Sequence, residues 1–162
     1  AGTGVGNIYN YYENKPKLFM EVGRNWRKRL VKDLESILAE DLPARVRVTK
    51  LLIALYENVE RWSGIWMEFM MKNQKVVFGK LGAEIKEENE REEEKLARQL
   101  QLVLYDAMKG NKRAQNILQA DDGRFATLML MSIFMLPSRY PGQPEANLKF
   151  IHRYVDFFFS AN

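Results

Sequence analysis

Apolar side chains at every fourth position near the amino end of this 162-residue chain constrain its fold more than any other feature. The row consists of Leu18, Val22, Trp26, Leu30, Leu34 and Leu38. This spacing places all of them on one face of an α-helix, whereas a half-buried strand would alternate at every second residue. Asn14 is a favourable N-cap and Pro16 falls in the first turn, where its missing N–H costs nothing. The pattern predicts one long helix over residues 14–38.

Helical spacing continues along the rest of the chain. A second row is predicted to end at Ser63-Gly64 and comprises Val48, Leu51, Leu52, Leu55, Val59 and Trp62. Further helices are predicted over 65–72, 81–108, 121–136 and 145–159, with Gly110-Asn111 as a stop and a proline-containing loop after 136. Because no segment shows sustained two-residue alternation, the chain is predicted to be all-α.

Residues 84–95 are almost all charged, and apolar residues at helical spacing bracket them. We interpret the run as the solvated face of a helix, with pairs four residues apart such as Glu87–Arg91 and Glu94–Arg98. The last two predicted helices differ, because apolar residues surround each of them. Either both are central core helices, or one face needs a partner. The second reading predicts a homodimer through Leu128, Met131, Met135, Ile151, Val155 and Phe158.

Composition narrows the classes of function. The chain has no cysteine and one histidine, so cysteine-based catalysis and most zinc sites are excluded, and we predict no catalytic residues, metal or cofactor. The formal net charge of +4 permits a nucleic-acid partner without requiring one. Without a visible signal peptide or a long enough apolar stretch, we expect a cytoplasmic protein that does not enter the membrane.

The first eighteen residues carry the most specific pattern in the chain. They read as a glycine-rich turn, a short helix, a two-residue break and the start of the long helix. The segment resembles the recognition helix of TetR-family transcriptional regulators, whose pattern is approximately Ala-Gly-Val-Ser-x-Gly-Thr-Leu-Tyr-x-Tyr-Phe-x-x-Lys-x-x-Leu. Ala1, Gly2, Gly6, Tyr9, Tyr11, Lys15 and Leu18 match that pattern. Gly4 and Asn7 depart from it, standing where the family prefers Ser and Thr.

The resemblance implies a recognition helix in the DNA major groove. Thr3, Val5, Asn7 and Asn10 would face bases, and Gly6 would allow close approach to a phosphate. Tyr9, Tyr11 and Lys15 would hold phosphates. It implies two parts: residues 1–36, a partial helix-turn-helix whose first half is missing from these residues, and residues 37–162, an effector-binding and dimerisation domain. Basic residues on the long helix would add attraction to DNA or form a plain solvated face; they are Arg24, Arg27, Lys28, Arg29 and Lys32.

Methionine and aromatic residues in the middle of the chain suit either a core or a pocket for a hydrophobic effector. The candidate effector-binding residues are Trp62, Trp66, Phe69, Met70, Tyr105, Met108, Phe125 and Met129. Glu60 or Glu68 would pair with a cationic effector. We therefore expect a homodimeric repressor that is released from palindromic operator DNA by a small hydrophobic effector. The alternative is a helical ligand-binding or adaptor protein that does not bind DNA.

Overall fold

Helices form almost all of the chain in a computed structural model, which describes residues 5–160 and the side chains from residue 14 onward. Seven α-helices occur in that part: α1 (Val5–Leu38), α2 (Ala44–Lys72), α3 (Gln74–Val77), α4 (Lys80–Ala107), α5 (Lys112–Ala120), α6 (Arg124–Arg139) and α7 (Pro144–Ser160). Over the same residues there is no β-strand, so the all-α prediction is confirmed. None of these helices is both long and apolar enough to cross a membrane.

Helix α2 is the centre of the packing. It contacts α1, α4, α6 and α7, while α4 also packs against α1 and α6. The apolar rows predicted from spacing supply the core: Leu30, Leu34 and Leu38 of α1 meet Val48, Leu52 and Leu55 of α2. One polar pair is enclosed in this packing. Asn147 of α7 donates a hydrogen bond to the hydroxyl of Tyr56 at 3.1 Å and another to the carbonyl of Tyr140.

Helix α1 is longer than predicted. It runs from Val5 to Leu38 without the expected break, and Pro16 lies inside it rather than in its first turn. The prediction of Asn14 as an N-cap is therefore wrong. A proline within a helix removes a single backbone hydrogen bond, and helical residues on both sides can outweigh that loss.

Helix α2 also passes through a predicted boundary. Ser63 and Gly64 lie within it, and the separately predicted helix over 65–72 is its last part. Glycine in a helix interior costs about 1 kcal/mol relative to alanine. Packing along the rest of this 29-residue helix exceeds that local preference.

The loop at Gly110 ends α4 close to the predicted position, and Gly110 has a φ of 105°, which favours glycine. Helix α5 follows and was not predicted. Its side-chain cap is clear, since Asn111 accepts a hydrogen bond from the N–H of Ala114 at 3.1 Å. Only Leu118 in α5 is buried, so the helix has almost no apolar row for a spacing argument to detect.

Helices α6 and α7 lie close to their predicted positions. The Asp121 carboxylate accepts a hydrogen bond from the N–H of Phe125, as expected of a cap, although α6 itself begins at Arg124. Pro137, which was predicted to lie in a loop, is inside the last turn of α6. A proline this close to the end of a helix removes few backbone hydrogen bonds. Pro144 opens α7, where it needs no N–H partner.

Candidate functional site

The predicted DNA-contacting residues occupy the beginning of the chain. Thr3 lies outside the described residues. Six others lie in the first turns of α1, where the helical backbone is described but the side chains are not, so their predicted contacts also fall outside: Val5, Gly6, Asn7, Tyr9, Asn10 and Tyr11. Lys15 is the first of the set with a described side chain, and it is exposed.

Immediately after this segment, α1 is attached to α2 by an aromatic cluster, defined here as Phe19, Trp26, Trp62, Trp66 and Phe69. The ring centroids of Phe19 and Phe69 are 4.2 Å apart, and those of Trp26 and Trp62 are 5.6 Å apart. Centroid separations in this range are typical of favourable aromatic pairs. The cluster therefore joins the middle of α1 to the carboxyl-terminal half of α2.

Gly23 makes this close approach possible. A Cβ atom at position 23 would lie 3.1 Å from the Cζ3 atom of Trp66, tighter than an ordinary carbon–carbon contact. The indole ring of Trp66 therefore lies against the bare backbone of α1. Spacing alone did not indicate this role for Gly23.

The eight predicted effector-binding residues separate into two groups. Trp62, Trp66 and Phe69 belong to the aromatic cluster, and Met70 is half-buried near them in sequence. The other four belong to the main core or pack against it: Met108 and Met129 are buried, while Tyr105 and Phe125 are partly buried. Met108 and Met129 are thus part of the core, while the effector-binding role of the eight residues stays a prediction. Tyr105 also lines a surface groove beside α4 and α5.

Ion pairs connect α1 to the charged part of α4. The guanidinium of Arg24 donates to both carboxylate oxygens of Glu88, with Nε to Oε2 at 2.7 Å, and Lys28 approaches the same carboxylate at 3.4 Å. Arg27 pairs with Glu93 one turn further along α4. A bidentate arginine–carboxylate contact fixes the relative orientation of the two side chains as well as attracting them to each other. We call this set the α1–α4 ion-pair row.

The α1–α4 ion-pair row affects the titration of its members. Hydrogen bonding to Arg24 lowers the pKa of the Glu88 carboxyl, and the same contact raises the pKa of Arg24. The charged run of α4 is therefore only partly a solvated face. Its predicted internal pairs Glu87–Arg91 and Glu94–Arg98 are present at 3.7 and 3.8 Å. No spacing rule indicated that its other carboxylates would meet α1.

This pairing changes the reading of the basic residues on α1. Arg24, Arg27 and Lys28 meet carboxylates, so the structure gives them an intramolecular role. Arg29 and Lys32 are exposed, and Arg29 donates to the carbonyl of Asn25. A general attraction to DNA through all five residues is thus not supported.

The predicted dimer residues also divide. Leu128, Met131 and Met135 lie on one side of α6 and are between 53 and 65% exposed. Ile151 and Val155 of α7 are instead core residues of the single chain, because they face α2 rather than outward. Phe158 is partly buried and its ring is tilted against that of Phe125, with ring centroids 5.3 Å apart. Two other α7 residues, Phe150 and Phe157, were not predicted for the interface but are more exposed than Ile151, Val155 and Phe158.

Side chains capable of binding a metal do not gather in groups of three or more anywhere in the described part of the chain. Comparisons with protein-family models, curated proteins and solved structures found no match to this chain.

Proposed function

We propose that this chain belongs to a ligand-responsive transcriptional repressor of the TetR type, which binds palindromic operator DNA as a homodimer. One observation carries the proposal: the pattern of residues 1–18, in which Gly2, Gly6, Tyr9, Tyr11 and Lys15 stand at the spacing of a TetR-type recognition helix. A match at so many fixed positions is more specific than a single short motif.

The position of α1 supports this proposal. The helix runs from the pattern-bearing segment into the core, and the aromatic cluster and the α1–α4 ion-pair row hold its middle third. A displacement of α2 or α4 would therefore reach the amino-terminal segment through α1. In a regulator, an effector that binds better to one arrangement of these helices would shift the population between DNA-binding and released states.

The exposed side of α6 supports the homodimer. Leu128, Met131 and Met135 are apolar residues at spacings of three and four, and they lie outside the core of the single chain. A second copy related by a twofold axis would cover the same row on both chains. Such a dimer would present two recognition segments to two half-sites of a palindrome.

The continuous α1 favours one other candidate function, a helical ligand-binding or adaptor protein that does not bind DNA. The sequence pattern predicted a break between the recognition helix and the helix that follows it, and α1 passes that position without one.

Selection from a pool of random duplex DNA, using the longest natural form of the protein, distinguishes the two candidates. The repressor proposal predicts enrichment of a palindrome with half-sites in successive major grooves. Lys15→Ala should weaken binding to all selected sequences and reduce the salt slope by about 1, because phosphate contacts carry little sequence information. Asn10→Ala should change the preferred bases.

Lys149→Ala is the matched control, since Lys149 is exposed on α7, far along the chain from the recognition segment. It should leave both affinity and preference unchanged. A selection that enriches no sequence, or equal effects of the Lys15 and Lys149 variants, would contradict the repressor proposal and favour the adaptor.

A further inference from the structure

A groove of about 460 Å³ lies between α4, α5 and the turn that leads into α6. Its size is within the roughly 300–1,000 Å³ range of small-molecule sites. Residues spaced along one face of α4 form one wall, and α5 closes the other side. The apolar lining includes Leu102, Tyr105 and Leu118, and the polar lining includes Arg98, Gln101 and Asp122.

Gln101, which lines this groove, has one buried hydrogen-bonding atom without a partner. Its Nε2 donates to the carbonyl of Leu118, while its Oε1 is buried and accepts no hydrogen bond. A buried acceptor without a partner is destabilising by about 1–3 kcal/mol, so such atoms are uncommon unless something else supplies the donor. A Cβ at Gly123 would lie 4.0 Å from this oxygen, so the Oε1 atom lies beside the turn that lines the groove.

Asp122 provides a second acceptor at the same turn. It has a φ of 51°, the one positive value for a residue other than glycine in the described part of the chain. Its neighbour Asp121 makes the cap hydrogen bond to α6, so Asp122 is not needed for that purpose. Among the described side chains it forms no ion pair, whereas Arg98 across the groove is paired with Glu94 at 3.8 Å. Asp122 is therefore the charged residue of this lining that has no ion-pair partner in the described part of the chain.

We propose that this groove binds a small aromatic amine. An ammonium group donates hydrogen bonds and accepts none, which complements the exposed carboxylate of Asp122 and, after a rotation of the Gln101 side chain that uncovers it, the Oε1 atom of Gln101. An aromatic body would cover the apolar lining formed by Leu102, Tyr105 and Leu118, and the Tyr105 ring adds attraction for a cation. The regulatory role of such a ligand rests on the proposed repressor function, whereas its binding does not.

Three indole compounds that share one ring system test the chemistry. Tryptamine carries an ammonium group, tryptophol a neutral hydroxyl and indoleacetate a carboxylate. Titration of each compound into the isotope-labelled protein, followed by amide NMR spectra, should give saturable shifts around Leu102, Leu118 and Gly123. Tryptamine should bind most tightly and indoleacetate most weakly. Shifts centred on Trp62 and Trp66 would place the ligand elsewhere and overturn the proposal.

Substitution of the acceptor tests which group holds the amine. Asp122→Asn keeps a residue type that tolerates positive φ, so the turn should be preserved. Tryptamine affinity should fall about two- to fivefold, as expected for the loss of a solvent-exposed ion pair, while tryptophol affinity stays the same. An equal loss for both compounds, or no loss for tryptamine, would overturn the role of the carboxylate and with it the amine proposal.

A second pair of variants tests the apolar wall. Leu102→Ala should lower the affinity of all three compounds by about fivefold, because it removes apolar surface that they would cover. Ile117→Ala on α5 is the matched control, since Ile117 is similarly exposed but does not line the groove. Equal effects of the two variants would overturn the proposed position. These titrations contain no DNA, so a failure of operator binding and a failure of amine binding are recorded separately.

Discussion

Replacing Gly64 with alanine should make the protein more stable. Gly64 lies inside α2, and a Cβ added there meets no atom within 4 Å. Alanine loses less backbone freedom than glycine on entering a helix, which is worth about 0.5–1 kcal/mol in a helix interior. Because no contact opposes this gain, the free energy of unfolding should rise by about that amount.

The same glycine-to-alanine change at two other helical positions provides an internal scale. At Gly23 the new Cβ would lie 3.1 Å from the Trp66 ring, so the gain should be largely cancelled by displacement of the indole. At Gly82, near the start of α4, it would lie 1.7 Å from the carbonyl oxygen of Val77. A backbone atom cannot move aside as a side chain can, so this variant should lose about 2 kcal/mol or more.

Urea denaturation and thermal unfolding, both followed by circular dichroism at one protein concentration, measure all three variants. For a domain of this size, a change of 1 kcal/mol corresponds to a shift of about 2–4 °C in Tm. The expected order from most to least stable is Gly64→Ala, wild type, Gly82→Ala. A destabilised Gly64→Ala would refute the continuous α2 and restore the helix break that the glycine first suggested.

Three further predictions concern packing, charge and assembly. Asn147→Ala should lower the free energy of unfolding by about 1–3 kcal/mol, because it leaves the buried hydroxyl of Tyr56 without its donor; Tyr56→Phe should cost less, as chemical denaturation can show. Ion pairing with Arg24 lowers the pKa of Glu88 in the folded state, so the resulting stabilisation is present at neutral pH. It should disappear as the pH falls below the ordinary glutamate value of 4.5 toward the lowered pKa, and Glu88→Gln should abolish that part of the pH dependence in acid titrations of stability. Leu128→Glu should weaken the proposed homodimer while the chain remains folded, because Leu128 is exposed in the single chain; an unchanged sedimentation coefficient alongside a dimeric wild type would exclude α6 from the interface.

The helical class and most helix positions could be predicted from the sequence because burial repeats along each helix. The row from Leu30 to Leu38 and the row in α2 both enter the core as their spacing required. Gly64 and Pro16 gave wrong helix boundaries. Each costs a helix interior about 1–3 kcal/mol at most, and the long helices that contain them have many contacts that outweigh this cost. Single-residue breakers therefore located boundaries less well than apolar rows did.

The candidate sites were less predictable than the fold. Aromatic and methionine content marked Trp66 and Met129 for one pocket, yet the two side chains belong to different clusters. Composition cannot separate residues that pack on different neighbours. Similarly, Ile151 satisfied the rule for an apolar helix surface, and only the direction of α7 against α2 shows that it faces inward. The bond between Arg24 and Glu88 joins residues 64 positions apart, beyond any spacing rule.

The methionines of this chain differ widely in exposure, so their oxidation rates report which parts of the surface are covered. Met20, Met108 and Met129 are almost completely buried, whereas Met71 of α2 and Met135 of α6 are more than half exposed. Peroxide converts accessible thioethers to sulfoxides, so mild oxidation should modify the second group and spare the first. In a dimer formed through α6, Met135 would be shielded while Met71 continued to react. The ratio of the two sulfoxides, read by mass spectrometry, thus converts a surface contact into a difference in oxidation rate within a single molecule.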